Sequence, residues 1–480
     1  MGGFFGVVSR NECVDDLFYG TDYHSHLGTR RAGMAVFGDR GFRRIIHDIS
    51  NAQFRSKFED QLGEFHGRAG IGVISDYEDQ PILITSHHGT YGIVSVSFIT
   101  NAKKLTDDLF AMRRGHFAAT TGMGLNPTEL SSALIDTQAT IADGLRHLQE
   151  VVQGSCSLLL LTDKGDVYAM RDRYGRTPVL LGRNADGYVV ATESTAFPNT
   201  GYNYYRDLGP GEIVRLTADG DEIVALPRPE MRICLFFWIY FGFPSSNYEG
   251  VNVEDSRYRN GALLAKRSPA DADIITGVPD SGVAHALGFS HETGIPYKRP
   301  FVKYTPTWPR SFMPPDQSRR QLIANKKLIA IPDFIKGKRL VCLDDSIVRG
   351  TQLRNQAHRL YDNGASEIHM RIACPPLLFG CKFLNFSRSS SENELIARKT
   401  AQEIDGENAN LYDFVNPDGE KYKQMVERLR RRLGLTSLAF QRLDDMIEAI
   451  GLPKDRVCTY CWNGQDVTCP HDCKSCPCHK

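Results

Sequence analysis

The sequence predicts an α/β protein built in two folded parts and closed by a helical extension that ends in cysteines. Three observations carry that reading. Residues 1–229 alternate glycine-rich turns with short apolar runs, such as YGIVSVSFI at 91–99 and CSLLLLT at 156–162, which read as strands of packed sheets with a few flanking helices. From 273 the rhythm becomes strand, helix, strand, the pattern of a parallel sheet with helices on its faces. Six of the 12 cysteines then fall within 458–480.

In chain order, a helical stretch is expected at 134–152, where Leu134, Ile141, Leu145, Leu148 and Val152 recur near helical spacing. The Pro-containing link ALPRPEMR at 225–232 closes the first part. The apolar run CLFFWIYFGFP at 234–244 reads as a buried strand, since a bilayer span needs roughly 20 apolar residues. DIITGV (273–278) reads as a strand, PDSG (279–282) as a turn, the stretch up to Gly294 as a helix and IPYKRPFVK (295–303) as a further strand. LVCL (340–343), the loop DDSIVRG, a helix bearing Leu353, Ala357, Leu360 and Tyr361, and the strand EIHMRI (367–372) follow. Beyond the polar loop SRSSSEN, Tyr422, Met425, Val426, Leu429 and Leu433 share one helix face. The expected divisions are 1–229, 230–400 and 401–480, the last a helical extension with the cysteine-rich tail.

Composition narrows the function. With 57 basic and 57 acidic residues the formal net charge is zero, which argues against a partner bound through duplex phosphates. A hydrophobic share of 41% and a charged share of 24% are those of an ordinary globular chain. The opening MGGFFGVVSRNE has no basic start and only a very short apolar run, so a cytoplasmic protein without a membrane partner is expected. Clustered cysteine in such a chain points to metal rather than to disulfides.

The most specific string is VCLDDSIVRGTQ at 341–352. An apolar strand delivers Asp344 and Asp345 to the carboxyl edge of a sheet, where open parallel sheets bind ligands. The small-residue turn Ser346, Ile347, Val348, Arg349, Gly350 and Thr351 then enters a helix, and its backbone N–H groups suit a phosphate monoester. Carboxylates beside a phosphate cradle suit the vicinal hydroxyls of a ribose 5-phosphate.

This string resembles the phosphoribosyl pyrophosphate (PRPP) motif of type I phosphoribosyltransferases, and the chain as a whole is similar to the glutamine amidophosphoribosyltransferase family. GVPDSG (277–282), TGIPY (293–297), Arg310-Ser311-Phe312, GKRLV and IACPPL (372–377) fall in the family's order. The resemblance implies an N-terminal four-layer αββα N-terminal-nucleophile-hydrolase-like domain ahead of a type I phosphoribosyltransferase domain. It implies that Asp344 and Asp345 bind the ribose hydroxyls and that Ser346 to Thr351 bind the 5-phosphate. Asp280, Ser281, Gly282 and Arg310 complete the PRPP site, with Ser281, Asp344 and Asp345 around Mg²⁺. Asp344, Asp345 and Lys303 are the expected catalytic residues, with Lys303 near the pyrophosphate and a lid at about 304–328. One departure stands out: the family has Lys-Asn-Arg-Tyr where this chain has Lys303-Tyr304-Thr305-Pro306.

The same resemblance implies a glutaminase half whose chemistry is lost. The family's mature chain begins Cys-Gly-Ile-Phe-Gly, and its cysteine attacks the glutamine amide. Gly2 takes that place here. The family's Gly-Ile-Gly-His-Thr-Arg is replaced by Gly70-Ile71-Gly72-Val73-Ile74-Ser75, and the oxyanion pair Asn-Gly is missing between Tyr91-Gly92-Ile93 and Thr100-Asn101-Ala102. The Ser-Asp-Ser-Glu string is replaced by TTGMGLNPTEL at 120–130. What survives is scaffold, including RDRYGRTPVLLGR (171–183) and ATES (191–194).

Cysteines at C-x2-C spacing suit zinc or an iron–sulfur cluster equally. The resemblance favours a [4Fe–4S] cluster on Cys234, Cys381, Cys458 and Cys461, with zinc the alternative. Cys469, Cys473, Cys476 and Cys478 lie outside the family pattern, as a second metal site or a disordered end. The expected activity is transfer from PRPP to ammonia or another small amine, as in the first step of purine biosynthesis, by a homodimer or homotetramer. The alternatives are a non-catalytic PRPP or nucleotide sensor and a redox-sensing protein.

Overall fold

The structure, a computed structural model, describes residues 2–112, 117–118, 120–121, 124–304, 328–384 and 394–466. The first half contains two antiparallel sheets. Seven strands run in the order Asn203–Asp207, Leu180–Arg183, Gly187–Ala191, Gly3–Ser9, Ala69–Ser75, Arg31–Gly38 and Gly41–Asp48. Six run in the order Asp221–Ala225, Ile213–Leu216, Val167–Met170, Gly154–Thr162, Gly89–Ile99 and Ile82–Ser86.

The alternation of strand side chains builds the layers. Along Gly154–Thr162, Leu159 and Leu161 join the core shared with Val7, Val36 and Val190 of the first sheet. Their neighbours Leu158 and Leu160 join a second core under the helices Pro127–Ile135 and Ile141–Val151, with Leu130, Leu134, Leu145 and Leu148. The helix Val14–Asp22 covers the other face, packing on Gly3–Ser9 and Ala69–Ser75. The result is the expected stack of helix, sheet, sheet and helix.

The second half holds a four-stranded parallel sheet in the order Ile274–Gly277, Arg339–Asp344, Glu367–Ile372 and Ser437–Phe440. Helices Val253–Arg267, Val283–Thr293, Thr351–Asp362 and Glu420–Leu433 surround it. The fourth strand comes from the region read as a purely helical extension. Ser437–Phe440 is four residues long, too short for its period to stand out, and parallel pairing with Glu367–Ile372 makes it a strand.

Three further elements differ from expectation. At 234–244 only Ile233–Cys234 is extended, and Phe237–Phe241 winds as one wide helical turn. Phe237, Trp238 and Ile239 are all buried there, and Arg257 donates to the Trp238 carbonyl at 2.7 Å and the Gly242 carbonyl at 2.9 Å. The 134–152 stretch is two helices, restarted where Thr140 Oγ1 accepts the Asp143 N–H at 3.1 Å. At 295–303, Pro296 and Pro300 remove two ladder donors, so Tyr297 makes only a single parallel bridge to Ile275 and the paired strand is Phe301–Lys303, with Leu328–Ala330. Among the described residues no helix is long and apolar enough to cross a membrane.

Candidate functional site

The central strand Arg339–Asp344 of the parallel sheet ends where its neighbours end, leaving Asp344, Asp345 and the following turn at the carboxyl edge. Asp345 is 6% exposed, and both its oxygens are used: Ser281 Oγ donates to Oδ1 and Ser346 Oγ to Oδ2, each at 2.5 Å. Asp344 Oδ1 accepts the N–H of Asp345 at 3.0 Å. Burial, and after it the charge of Asp345, pushes the Asp344 carboxyl well above the ordinary carboxylate range. Two crowded carboxylates with a hydroxyl beside them form a hard oxygen set that suits a divalent cation such as Mg²⁺, whose charge relieves their repulsion.

The turn at 279–282 faces this pair. Lys303 Nζ pairs with Asp280 at 2.8 Å, so the adjacent strand Phe301–Lys303 brings its cation to the rim of the site. Gly282 allows the approach: a Cβ there would lie 2.3 Å from the Leu343 carbonyl oxygen. Gly350 caps the helix Thr351–Asp362 at φ 74°, a left-handed conformation that favours glycine. The turn is held from outside by Ile396 N–H donating to the Val348 carbonyl at 2.8 Å and by an Arg349–Glu394 ion pair. Gly350→Ala is expected to destabilise the protein by about 1–2 kcal/mol. The measurement is urea unfolding, where a lower midpoint at constant slope is expected and an unchanged midpoint would mean that the turn relaxes freely.

The four cysteines expected to act together do meet. Cys234, Cys381, Cys458 and Cys461 line one cavity with Arg176, Phe236, Phe383, Leu384 and Trp462. Ile233–Cys234 pairs in parallel with Val457–Cys458, setting Cys234 opposite Cys458, and the Cys461 carbonyl accepts the N–H groups of Leu378 and Phe379, each at 3.2 Å. A hydrogen bond from Cys461 holds the Cys381 thiol down at about 7, whereas burial pushes Cys234 and Cys458 up. Four sulfurs around one cavity can hold either a polynuclear iron–sulfur core or a single zinc ion.

The start of the chain forms a second cavity, lined by Gly2, Ser75, Ser95, Ser97, Ser155 and Leu384 among others. A Cβ on Gly2 would lie 2.5 Å from the Ile74 carbonyl oxygen, so a side chain there requires the backbone to shift. The strand Gly89–Ile99 runs unbroken beside Gly154–Thr162, from Tyr91 opposite Thr162 to Ile99 opposite Gly154. Gln80 covers its free edge, accepting the Ser95 N–H at 2.6 Å and donating to the Ser95 carbonyl at 3.1 Å.

A family model for a glutamine amidotransferase domain matches residues 66–199. The chain is 31% identical to an amidophosphoribosyltransferase of Mycobacterium tuberculosis, over 96% of this chain and 85% of that one. It is 30% identical to one from Methanothermobacter thermautotrophicus, over 97% and 94%. The chain belongs to the amidophosphoribosyltransferase family. Among solved structures, the glutamine PRPP amidotransferase of B. subtilis, complexed with ADP and GMP, superposes with a TM-score of 0.83 at 27% identity, covering 96% of each chain.

Within this amidophosphoribosyltransferase fold the structure brings Asp280, Ser281, Gly282, Lys303, Asp344 and Asp345 to one sheet edge, and Ser346 to Thr351 into the adjoining turn. Arg310, most of the expected lid, and Cys469, Cys473, Cys476 and Cys478 lie outside the described residues. Two residues were missed by sequence reasoning. Arg176 reaches from the first half to donate to Cys458 Sγ at 3.6 Å, with its guanidinium 3.5 Å from the Phe383 ring centroid. Buried Glu193 pairs with His26 at 3.0 Å and accepts from Ser246 Oγ, joining the two halves. Both sit in strings legible only as scaffold.

Proposed function

We propose that this chain transfers the phosphoribosyl group of PRPP to ammonia or another small amine, releasing pyrophosphate, in cytoplasmic purine biosynthesis. The observation that supports this reading best is the intact acidic turn, with Ser281 and Ser346 fixing Asp345 while Lys303 stands at the rim. Asp344 and Asp345 take the ribose hydroxyls, and the backbone N–H groups from Ser346 to Thr351 take the 5-phosphate at the helix N-terminus. The amine attacks the anomeric carbon as its bond to pyrophosphate breaks, and Lys303 stabilises the charge on the departing group. Mg²⁺, held by Asp344, Asp345 and Ser281, supplies further neutralisation of that charge when bound. Positioning, rather than covalent catalysis, is what these side chains provide.

The amidotransferase half, in this reading, does not hydrolyse glutamine. Gly2 has no thiol and a Cβ there would crowd the Ile74 carbonyl, Ser75 stands where the family has arginine, and the strand through Ser95 has no turn that would present oxyanion donors. Gly2→Cys is therefore expected to form no glutamate from glutamine. Glutamate release by that variant at the rate of pyrophosphate release would show that only the nucleophile is missing.

A [4Fe–4S] cluster would be held by Cys234, Cys381, Cys458 and Cys461, which line one cavity, and when bound it would staple the 457–464 segment across both halves. The direct assay is pyrophosphate release from PRPP and Mg²⁺ under anaerobic conditions. Release with ammonium is expected. Tight PRPP binding without release, whatever amine is offered, would make the chain a PRPP sensor instead.

A further inference from the structure

One cluster of metal-ligating side chains lies apart from the acidic turn and from both cavities. The ligand atoms of His87, His88 and Asp136 lie within 4.8 Å of one another, although Asp136 is far from the two histidines in sequence. The histidines occupy the turn between the strands Ile82–Ser86 and Gly89–Ile99, and Asp136 caps the C-terminal end of the helix Pro127–Ile135. We propose that these three residues hold a divalent transition-metal ion of the zinc class, clamping the hairpin to the helix.

Four features point to a ligand. The His88 side chain is 4% exposed, yet its buried Nε2 makes no hydrogen bond and stands 3.8 Å from Asp136 Oδ1. A buried imidazole nitrogen without a partner is costly unless something fills the gap. His87 Nε2 lies 2.9 Å from the Gln138 carbonyl oxygen, a bond that requires the proton on Nε2 and leaves the lone pair of the neutral ring on Nδ1. The carboxylate is held in position, since Asp136 Oδ1, the oxygen that faces His88 Nε2, accepts from Ser86 Oγ at 2.9 Å and from Tyr91 OH at 3.0 Å. Finally, Asp136 adds negative charge where the helix dipole is already negative, the last turn has no basic residue, and among the described residues no Lys or Arg pairs with it. A cation is what that position lacks.

Two imidazoles and one carboxylate select zinc-like ions over Mg²⁺ or Ca²⁺, and leave a fourth tetrahedral position for water. The test must locate the ion, because the chain's cysteines also take up zinc. Crystals of the full chain soaked in zinc chloride should show an anomalous difference peak, recorded at the zinc edge, between His87, His88 and Asp136. His88→Ala should remove that peak and lower the zinc bound at saturation by one equivalent per chain. The exposed His87→Ala should weaken binding at the same place by at least about tenfold. A wild-type crystal with zinc on the cysteines but none at this turn, or an unchanged peak in His88→Ala, would overturn the assignment.

Discussion

Asp345→Asn is expected to lower ammonium-dependent pyrophosphate release by about 10²–10³-fold, the loss typical when one preorganised electrostatic group is removed from a reacting centre. The substitution keeps the shape of the side chain and removes its charge. Asn offers one acceptor oxygen where Asp345 uses two, one for Ser281 and one for Ser346, so one hydroxyl of the turn loses its acceptor. It also halves the charge available to a divalent cation beside Asp344. The thermal midpoint and any iron bound by the cysteines should stay near wild type, since the parallel sheet is packed beneath this edge rather than by it. A rate within about threefold of wild type would place the acidic turn outside the reacting centre.

The second large effect concerns the cysteines. Replacing Cys458 and Cys461 together by serine is expected to reduce iron from about four atoms per chain, the content of a [4Fe–4S] cluster, to less than one. The 457–464 segment should then loosen, because its pairing at Cys458 opposite Cys234 and the stacking of Trp462 on Phe236 at 4.8 Å depend on the same cavity. Faster amide exchange across 457–464 is the accompanying measurement. Cys469→Ser serves as the control and should leave iron unchanged. Full iron in the double variant would move the ligands into the distal tail, and one zinc without iron in the wild type would restore the zinc alternative.

Much of the candidate site's placement was legible because it is local. The acidic pair, the phosphate turn and the strand before them are contiguous in 341–352, so spacing alone places them at a sheet edge. The cysteine set was not local, since Cys234 and Cys458 meet through parallel pairing, the segment before Cys381 is tied to the Cys461 carbonyl, and the resemblance alone suggested the set. Arg176 escaped notice because nothing in its string marks a cation destined for a cavity in the other half. The 234–244 run failed for a different reason: side chains buried on every side erase the period that separates strand from helix. His87, His88 and Asp136 combine both difficulties, a short exposed turn and a distant helix cap. At the start of the chain, only the fold shows that a Cβ on Gly2 would crowd the Ile74 carbonyl.

The central claim is that nitrogen reaches the phosphoribosyl group without passing through glutamine. The most direct measurement supplies PRPP and Mg²⁺ together with amide-labelled glutamine and unlabelled ammonium, and follows the label. The account predicts pyrophosphate release, an unlabelled product and no glutamate. Labelled product with glutamate formed in equal amount would contradict it.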